Sequence, residues 1–307
     1  MFADITGKKR LKIGLHTHTT RSDGHKLPEE VIQLYASAGY DAIALTDHWQ
    51  YGESYQALGI TVISGCEYDV YGVTGFQPGS NVKETFHIVG IGMSRDPEIP
   101  YELKTDDSKF IHERVKNIVR MIREADGIAV LAHPAWSLNT PEQIVSAGDF
   151  DAVEIYNSVS ECGMSDRPYS GLIVDMLAAK GVILPLLATD DTHYYNGDEC
   201  KGMVMVEADA AEKLGLVGAI RDGKFYATQG PEIHLERIAP DKVKLSCSPV
   251  QKIVFLSNLQ WTSGRVVRGK HLTEAIYTLK IDQQERFVRA EVTDENGLMG
   301  WSNIIIV

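Results

Sequence analysis

One pattern limits what this 307-residue chain can fold into: its short apolar runs keep ending on a histidine or a carboxylate. LKIGL leads into His16 and His18, AIALTD into His48, TVISGC into Glu67, IAVLA into His133, and PLLATD into Asp191 and His193, while His87 opens IVGIG. Helical patterns such as PEEVIQLYASAG and GLIVDMLAAKG lie between the runs. Strand and helix therefore alternate as in βα units. Up to Pro231 the count is roughly seven or eight repeats, a barrel-like number, and barrel active sites are built at strand C-terminal ends.

The clearest helix carries Phe110, Ile111, Val115, Ile118, Val119 and Ile122 at helical spacing, with Asp107 or Ser108 to cap it and Gly127 to stop it. It is scaffold. The glycine- and proline-bearing stretch Tyr68 to Thr85 matches neither helix nor strand, and is expected to be an insertion beside the chemistry, acting as a lid. After Pro231 the texture changes to alternating segments, DKVKLSC, QKIVFLS, EAIYTLKI, RFVRAEVTD and SNIIIV, with a Glu295-Asn296-Gly297 turn. These predict a small antiparallel β-sandwich over 232–307 appended to a barrel over 1–231, with Trp261 and Trp301 packing its core or the domain interface.

His16 and His18 fall on one face of a strand because side chains alternate with period two, so both can ligate one cation. Asp23, in a Ser22-Asp23-Gly24 turn, can bring its carboxylate back over the strand end. A single histidine is ordinarily a surface or hydrogen-bonded residue, but six at strand ends are a different case. His25, His112, His234 and His271 lie outside the pattern and take the ordinary reading. Imidazole and carboxylate without thiolate suit zinc, manganese or iron. Nine candidates are too many for one ion.

The order His16-Thr17-His18-Thr19, Ser22-Asp23-Gly24, Thr46-Asp47-His48, Gly65-Cys66-Glu67, His87, Ala132-His133-Pro134 and Asp191-Thr192-His193 resembles the motifs of the polymerase and histidinol phosphatase (PHP) superfamily, over roughly residues 11–230. The resemblance implies an α/β fold, a distorted (β/α)7 barrel holding two or three cations. It implies as ligands His16, His18, Asp23, His48, Glu67, His87, His133, Asp191 and His193. Glu67 would bridge two ions, with His16, His18 and Asp191 on one, His87 and His133 on its neighbour, and Asp23, His48 and His193 around a third. The family's Asp-x-His pattern selects Asp191 over Asp190, leaving Asp190 and Asp47 behind the ligands.

The activity so implied is hydrolysis of a small phosphomonoester by a water held and acidified between cations, with Glu67, Asp191 and His193 as catalytic candidates, the last two for the leaving group. Alternatives are a phosphodiesterase or exonuclease on nucleotides or short oligonucleotides, a non-phosphate amidohydrolase, and a non-catalytic binding protein. Arg21, Lys26 and Arg167 fall in loops near strand ends and are candidates to anchor a phosphate. A net charge of -12 argues against long nucleic acid as partner. Stretches from Gly218 to Lys224 and Gly264 to Lys270 imitate a phosphate-binding loop but lack its Ser or Thr. With unpaired cysteine spacing and without a leader-like or membrane-length apolar run, a reducing cytoplasm and no membrane are expected.

Overall fold

The computed structural model describes residues 1–73, 83–105 and 110–307, where the strand-end pattern becomes two sheets sharing one interior. The chain opens with β1 (Phe2–Ala3), β2 (Lys9–Gly14), α1 (Pro28–Ser37), β3 (Ala42–Ala44), β4 (Tyr55–Ala57) and β5 (Ile60–Ile63). Pro28 starts α1 where its missing N–H would have had no helical partner. Glu30 Oε2 accepts from the Leu27 N–H at 2.8 Å, and Val31, Ile32 and Tyr35 bury the inner face. With α1 as crossover, β2, β3 and β5 run parallel.

Next come β6 (Gly65–Val73), β7 (Lys83–Ile91), α2 (Ile111–Glu124), β8 (Ile128–Leu131), α3 (Pro141–Ala147), β9 (Ala152–Asn157), α4 (Gly171–Ala179) and β10 (Leu186–Thr189). In α2, Ile111, Val115, Ile118, Val119 and Ile122 are all buried, as their spacing requires. The helix starts after Phe110, and the proposed caps Asp107 and Ser108 lie outside the described residues. Thr140 caps α3, its hydroxyl accepting from the Gln143 N–H at 3.3 Å. Tyr68 to Val73 and Lys83 to Thr85 are strand, contrary to the reading of that stretch as irregular; the rest of the expected lid, 74–82, lies outside the described residues.

The ladders stop short of a closed barrel. β6, β7, β8, β9 and β10 form one sheet, but β6–β7 and β7–β8 pair antiparallel, the second although α2 lies between its strands. The other sheet contains β2, β3 and β5, with β11 (Met203–Glu207) antiparallel to β2. Single bridges, Thr17 to Thr192, His48 to Glu67 and Gly52 to Gly65, join the two. Ile13, Ala44 and Ile63 from one sheet and Val89, Val130 and Leu187 from the other fill the shared core.

After α5 (Ala208–Arg221) come β12 (Phe225–Thr228), β13 (Ile233–Ala239), β14 (Lys242–Ser257), β15 (Val266–Thr278), β16 (Phe287–Thr293), β17 (Met299–Trp301) and β18 (Ile305–Ile306). The C-terminal strands are antiparallel, as alternation predicts, but they do not form a detached sandwich. β17 pairs with β12, so the sheet runs from β13 through β12 to β2 without a break. Buried Trp301 stacks on Tyr156 of β9 at 5.5 Å, and the buried Arg289 guanidinium meets Asp175 of α4 at 2.6 Å. Trp261, expected in a core, is 94% exposed at the β14–β15 tip. The four cysteines are free thiols, and no helix among the described residues is long and apolar enough to cross a membrane.

Candidate metal centre

Backbone hydrogen bonds draw the segments after the strands together: the N–H of Thr46 donates to Thr17, Glu67 to Thr46, Asp191 to His16 and His18 to Thr192. His16, His18, His48, Glu67, Asp191 and His193, carried on these segments, are thereby brought to one cluster. His133 and Asp191 take positive φ, 29° and 52°, a conformation L residues adopt only when their surroundings fix it.

At the centre, His16 Nε2 and His18 Nε2 lie 3.2 Å apart. Glu67 Oε2 is 3.2 Å from the first and 3.0 Å from the second, and Asp191 Oδ1 is 3.1 and 3.0 Å from them. Four ligand atoms at tetrahedral corners of a zinc-like ion would stand about 3.3 Å apart. The other Glu67 oxygen, Oε1, turns to His87 Nδ1 at 2.9 Å and His133 Nε2 at 3.5 Å. A third group forms at the open end, where Asp23, 56% exposed, lies 3.5 to 3.7 Å from His193, His18 and His48.

Glu67 thus divides its carboxylate between two groups, and His18 belongs to two. The fit to cations has an independent sign. Glu67 Oε2, Asp191 Oδ1, His48 Nδ1 and His87 Nε2 are buried and make no hydrogen bond within the described residues. An unsatisfied buried polar atom costs about 1–3 kcal/mol, so four in one cluster call for a shared partner, and imidazole and carboxylate donors suit a divalent cation.

Burial alone would raise the Glu67 carboxyl and lower the His48 imidazole, but each is overruled by the other's class of group. His16, His48 and His87 hold Glu67 well below the usual carboxylate range. Glu67, Asp69 and Asp23 lift His48 to about 9, and Asp23 and Asp191 lift His193, against burial, to about 9. For His87 burial prevails, and its imidazole falls below its ordinary value despite Glu67.

All nine residues singled out from the sequence meet here. The three anchoring candidates do not. Arg21 donates to the Tyr51 carbonyl at 3.1 Å, and the Lys26 ammonium lies over the Tyr195 ring at 5.7 Å. Neither they nor Arg167 lines the cavity of about 410 Å³ above the cluster. His112 lies between Glu84 and Ser146, at 2.6 and 2.9 Å, apart from the three groups.

Sequence reasoning missed Glu154 and Asn157 on β9. Glu154 Oε1 accepts from His16 Nδ1 at 2.7 Å and from the Thr189 hydroxyl at 2.8 Å, while Oε2 accepts from the His133 N–H and Asn157 Nδ2, each at 2.9 Å. Asn157 Nδ2 also reaches Asp191 Oδ2 at 3.1 Å. With its Nδ1–H given to Glu154, His16 presents the Nε2 lone pair to the cluster. The available signal was a lone glutamate in the wholly buried strand AVEIYN. Asp69 was also missed: it accepts from Trp49 Nε1 at 2.7 Å, pairs with Lys104 at 2.9 Å and lies 3.4 Å from His48.

The family model for the PHP domain matches residues 14–199 of this chain. No curated protein matches it. Among solved structures, a two-domain protein from Bacteroides vulgatus containing a predicted PHP-like metal-dependent phosphoesterase is 17% identical, with 100% of this chain and 98% of that one covered and a TM-score of 0.50. An amidohydrolase from Chromobacterium violaceum, with bound sulfate and no metal, is 19% identical over 61% of this chain and 89% of its own, with a TM-score of 0.40. A protein from Bifidobacterium adolescentis, proposed as a metal-dependent phosphoesterase, is 13% identical over the same shares, 61% and 89%, also at 0.40. At such identities the Bacteroides likeness shows a shared fold, C-terminal strands included, and nothing of substrate.

Proposed function

This chain belongs to the PHP domain family, and from that premise we propose that it is a metal-dependent hydrolase of phosphate esters whose substrate is a small phosphomonoester. The observation that carries the reading is the set of three ligand groups linked through Glu67 and His18, with its buried atoms lacking hydrogen bonds. His16, His18, Glu67 and Asp191 would hold one cation, Glu67 with His87 and His133 a second, and Asp23, His48 and His193 a third, each zinc, manganese or iron. Bound divalent ions supply Lewis acidity toward phosphoryl oxygens and acidify water.

The chain's own residues do the rest. Glu154 fixes the tautomer and orientation of His16 and pins the His133 backbone. Asp191, braced by Asn157, keeps its free oxygen on the cluster. His193 stands near the open end with its Nδ1–H donated to the Asp191 carbonyl at 2.7 Å, which leaves Nε2 facing the third group as a ligand atom. The acidic balance favours a small substrate over long nucleic acid, and the cytoplasm remains the proposed compartment.

The test is elemental analysis of the purified protein together with hydrolysis of a chromogenic phosphomonoester and a phosphodiester, with and without manganese. Two to three ions per chain and metal-dependent cleavage of the monoester, lost in His16→Ala, are expected. Faster cleavage of the diester would move the assignment to phosphodiesterase, and a protein that binds metal but cuts neither ester would overturn it.

A further inference from the structure

The cavity above the cluster has a polar floor and apolar, aromatic walls. Trp136, in the turn after His133, stands edge-on to the rings of His133 and His87, with centroids at 4.9 and 5.4 Å, yet keeps 38% of its surface exposed. Tyr71 meets the His87 ring at 6.1 Å, and Tyr194 lies 6.2 Å from the His193 ring, both also partly exposed. Val159, Cys162 and Met164 add apolar wall, with Ser160 and Ser165 on the same segment. Open aromatic surface concentrated in one cavity marks a recognition site, since exposed large apolar area is otherwise dispersed.

The polar groups in the wall are few and partly committed. The Ser160 hydroxyl donates to Asn157 Oδ1 at 2.7 Å, so it is engaged in holding β9 rather than offered to a polyol. Among the described lining residues there is no lysine or arginine. The Ser165 hydroxyl also lines the cavity, buried and without a hydrogen bond among the described residues, so it can meet one polar atom of a ligand, while ring surface and apolar contact make up most of the wall.

Resting on the phosphoesterase reading, we infer that this cavity is a leaving-group subsite for an apolar alcohol bearing a planar ring, and that Trp136 is its principal specificity determinant. A cavity of about 410 Å³ accommodates one ring beside a phosphoryl group but not an extended polymer. Polyol phosphates meet the same metal-ligand floor without gaining from the walls. The loss of one aromatic contact corresponds to roughly ten-fold in affinity at the upper end.

The experiment uses the metal-loaded enzyme with benzyl phosphate and glycerol phosphate, whose leaving alcohols are of similar basicity, so intrinsic reactivity does not decide the comparison. The wild type is expected to show the lower KM for benzyl phosphate. Trp136→Ala should lower the ratio of kcat/KM for benzyl over glycerol phosphate about ten-fold, mostly through KM, and Trp136→Phe should restore most of it. Equal KM values in the wild type, or an equal loss on both esters in Trp136→Ala, would overturn the subsite while leaving the phosphoesterase reading in place. Cleavage of neither ester would remove that reading and the subsite with it.

Discussion

Asp190 and Asp191 are adjacent in sequence and serve opposite sides of the same strand end. Asp190 accepts the N–H groups of Cys200, Lys201 and Gly202 at 2.8, 2.8 and 2.6 Å and the Tyr35 hydroxyl at 2.6 Å, whereas Asp191 points its Oδ1 at His16 and His18. The positive φ of Asp191 is the backbone turn at the point where the two carboxylates part.

Their substitutions should therefore separate stability from metal binding. Asp190→Asn sets an amide donor against backbone donors and is expected to cost about 1–3 kcal/mol with ion content retained. Asp191→Asn should lose bound metal with a much smaller change in the unfolding midpoint of the ion-free protein. Urea melts and elemental analysis of both variants check this, and matching phenotypes would refute the division of labour.

Glu154 touches two of the three groups through His16 and the His133 backbone, so its charge acts on ligand basicity and orientation. Glu154→Gln keeps the shape and is expected to weaken metal affinity by about 10- to 100-fold. Titration of the ion-free protein with zinc or manganese reads this directly. Wild-type affinity in the variant would reduce Glu154 to packing.

What the sequence made legible, and what it did not, follows from range. His16-x-His18 could be paired from local spacing, although β2 ends at Gly14 and both histidines lie in the segment beyond it rather than on the strand, and α2 could be placed because its apolar spacing is local. Of the distorted (β/α)7 barrel the α/β character is present but the ladder is not closed, with β6 and β7 antiparallel and β11 antiparallel to β2, relations between strands that no single strand records. The same holds for β17 adding to β12, which makes the expected sandwich a continuation of the sheet. Arg21 and Lys26 misled because a loop position does not say where a long side chain turns. Glu154 was hidden for the opposite reason, being a charged letter inside a strand that is buried on both faces and offers no strand-end position to single it out.

Gly24 ties the turn carrying Asp23 to the strand end. A Cβ there would stand 2.5 Å from the His18 carbonyl carbon and oxygen, which are backbone and cannot yield cheaply. Gly24→Ala should push Asp23 away from His48 and His193, costing about 1–3 kcal/mol from overpacking and lowering the ion count by one. Metal analysis beside a far-ultraviolet circular dichroism spectrum tests it. A full complement of ions in the variant would show that the turn has room to move.

Stability in acid should report on Asp4, far from the metal cluster. Asp4 and Arg10 are 2% exposed at the side chain and pair at 2.6 Å, and Asp4 Oδ1 also accepts from the Thr6 N–H at 2.8 Å. Burial would raise the Asp4 carboxyl, but Thr6 and Arg10 outweigh it and hold it below its ordinary value. A carboxyl depressed on folding stabilises the fold above its unfolded pKa, about 3.9, and that contribution disappears as pH falls through the lower folded value. Asp4→Asn leaves Arg10 with Glu207 at 3.6 Å as its remaining ion-pair partner and is expected to cost about 3 kcal/mol at pH 7. Urea midpoints of the two proteins should differ equally at pH 7 and 5, begin to converge below about pH 4, and meet only as pH falls through the lower folded value, where protonation removes the charge from the wild type as well. A difference that stays constant into acid would mean that Asp4 acts through its hydrogen bonds to the turn and not through its charge.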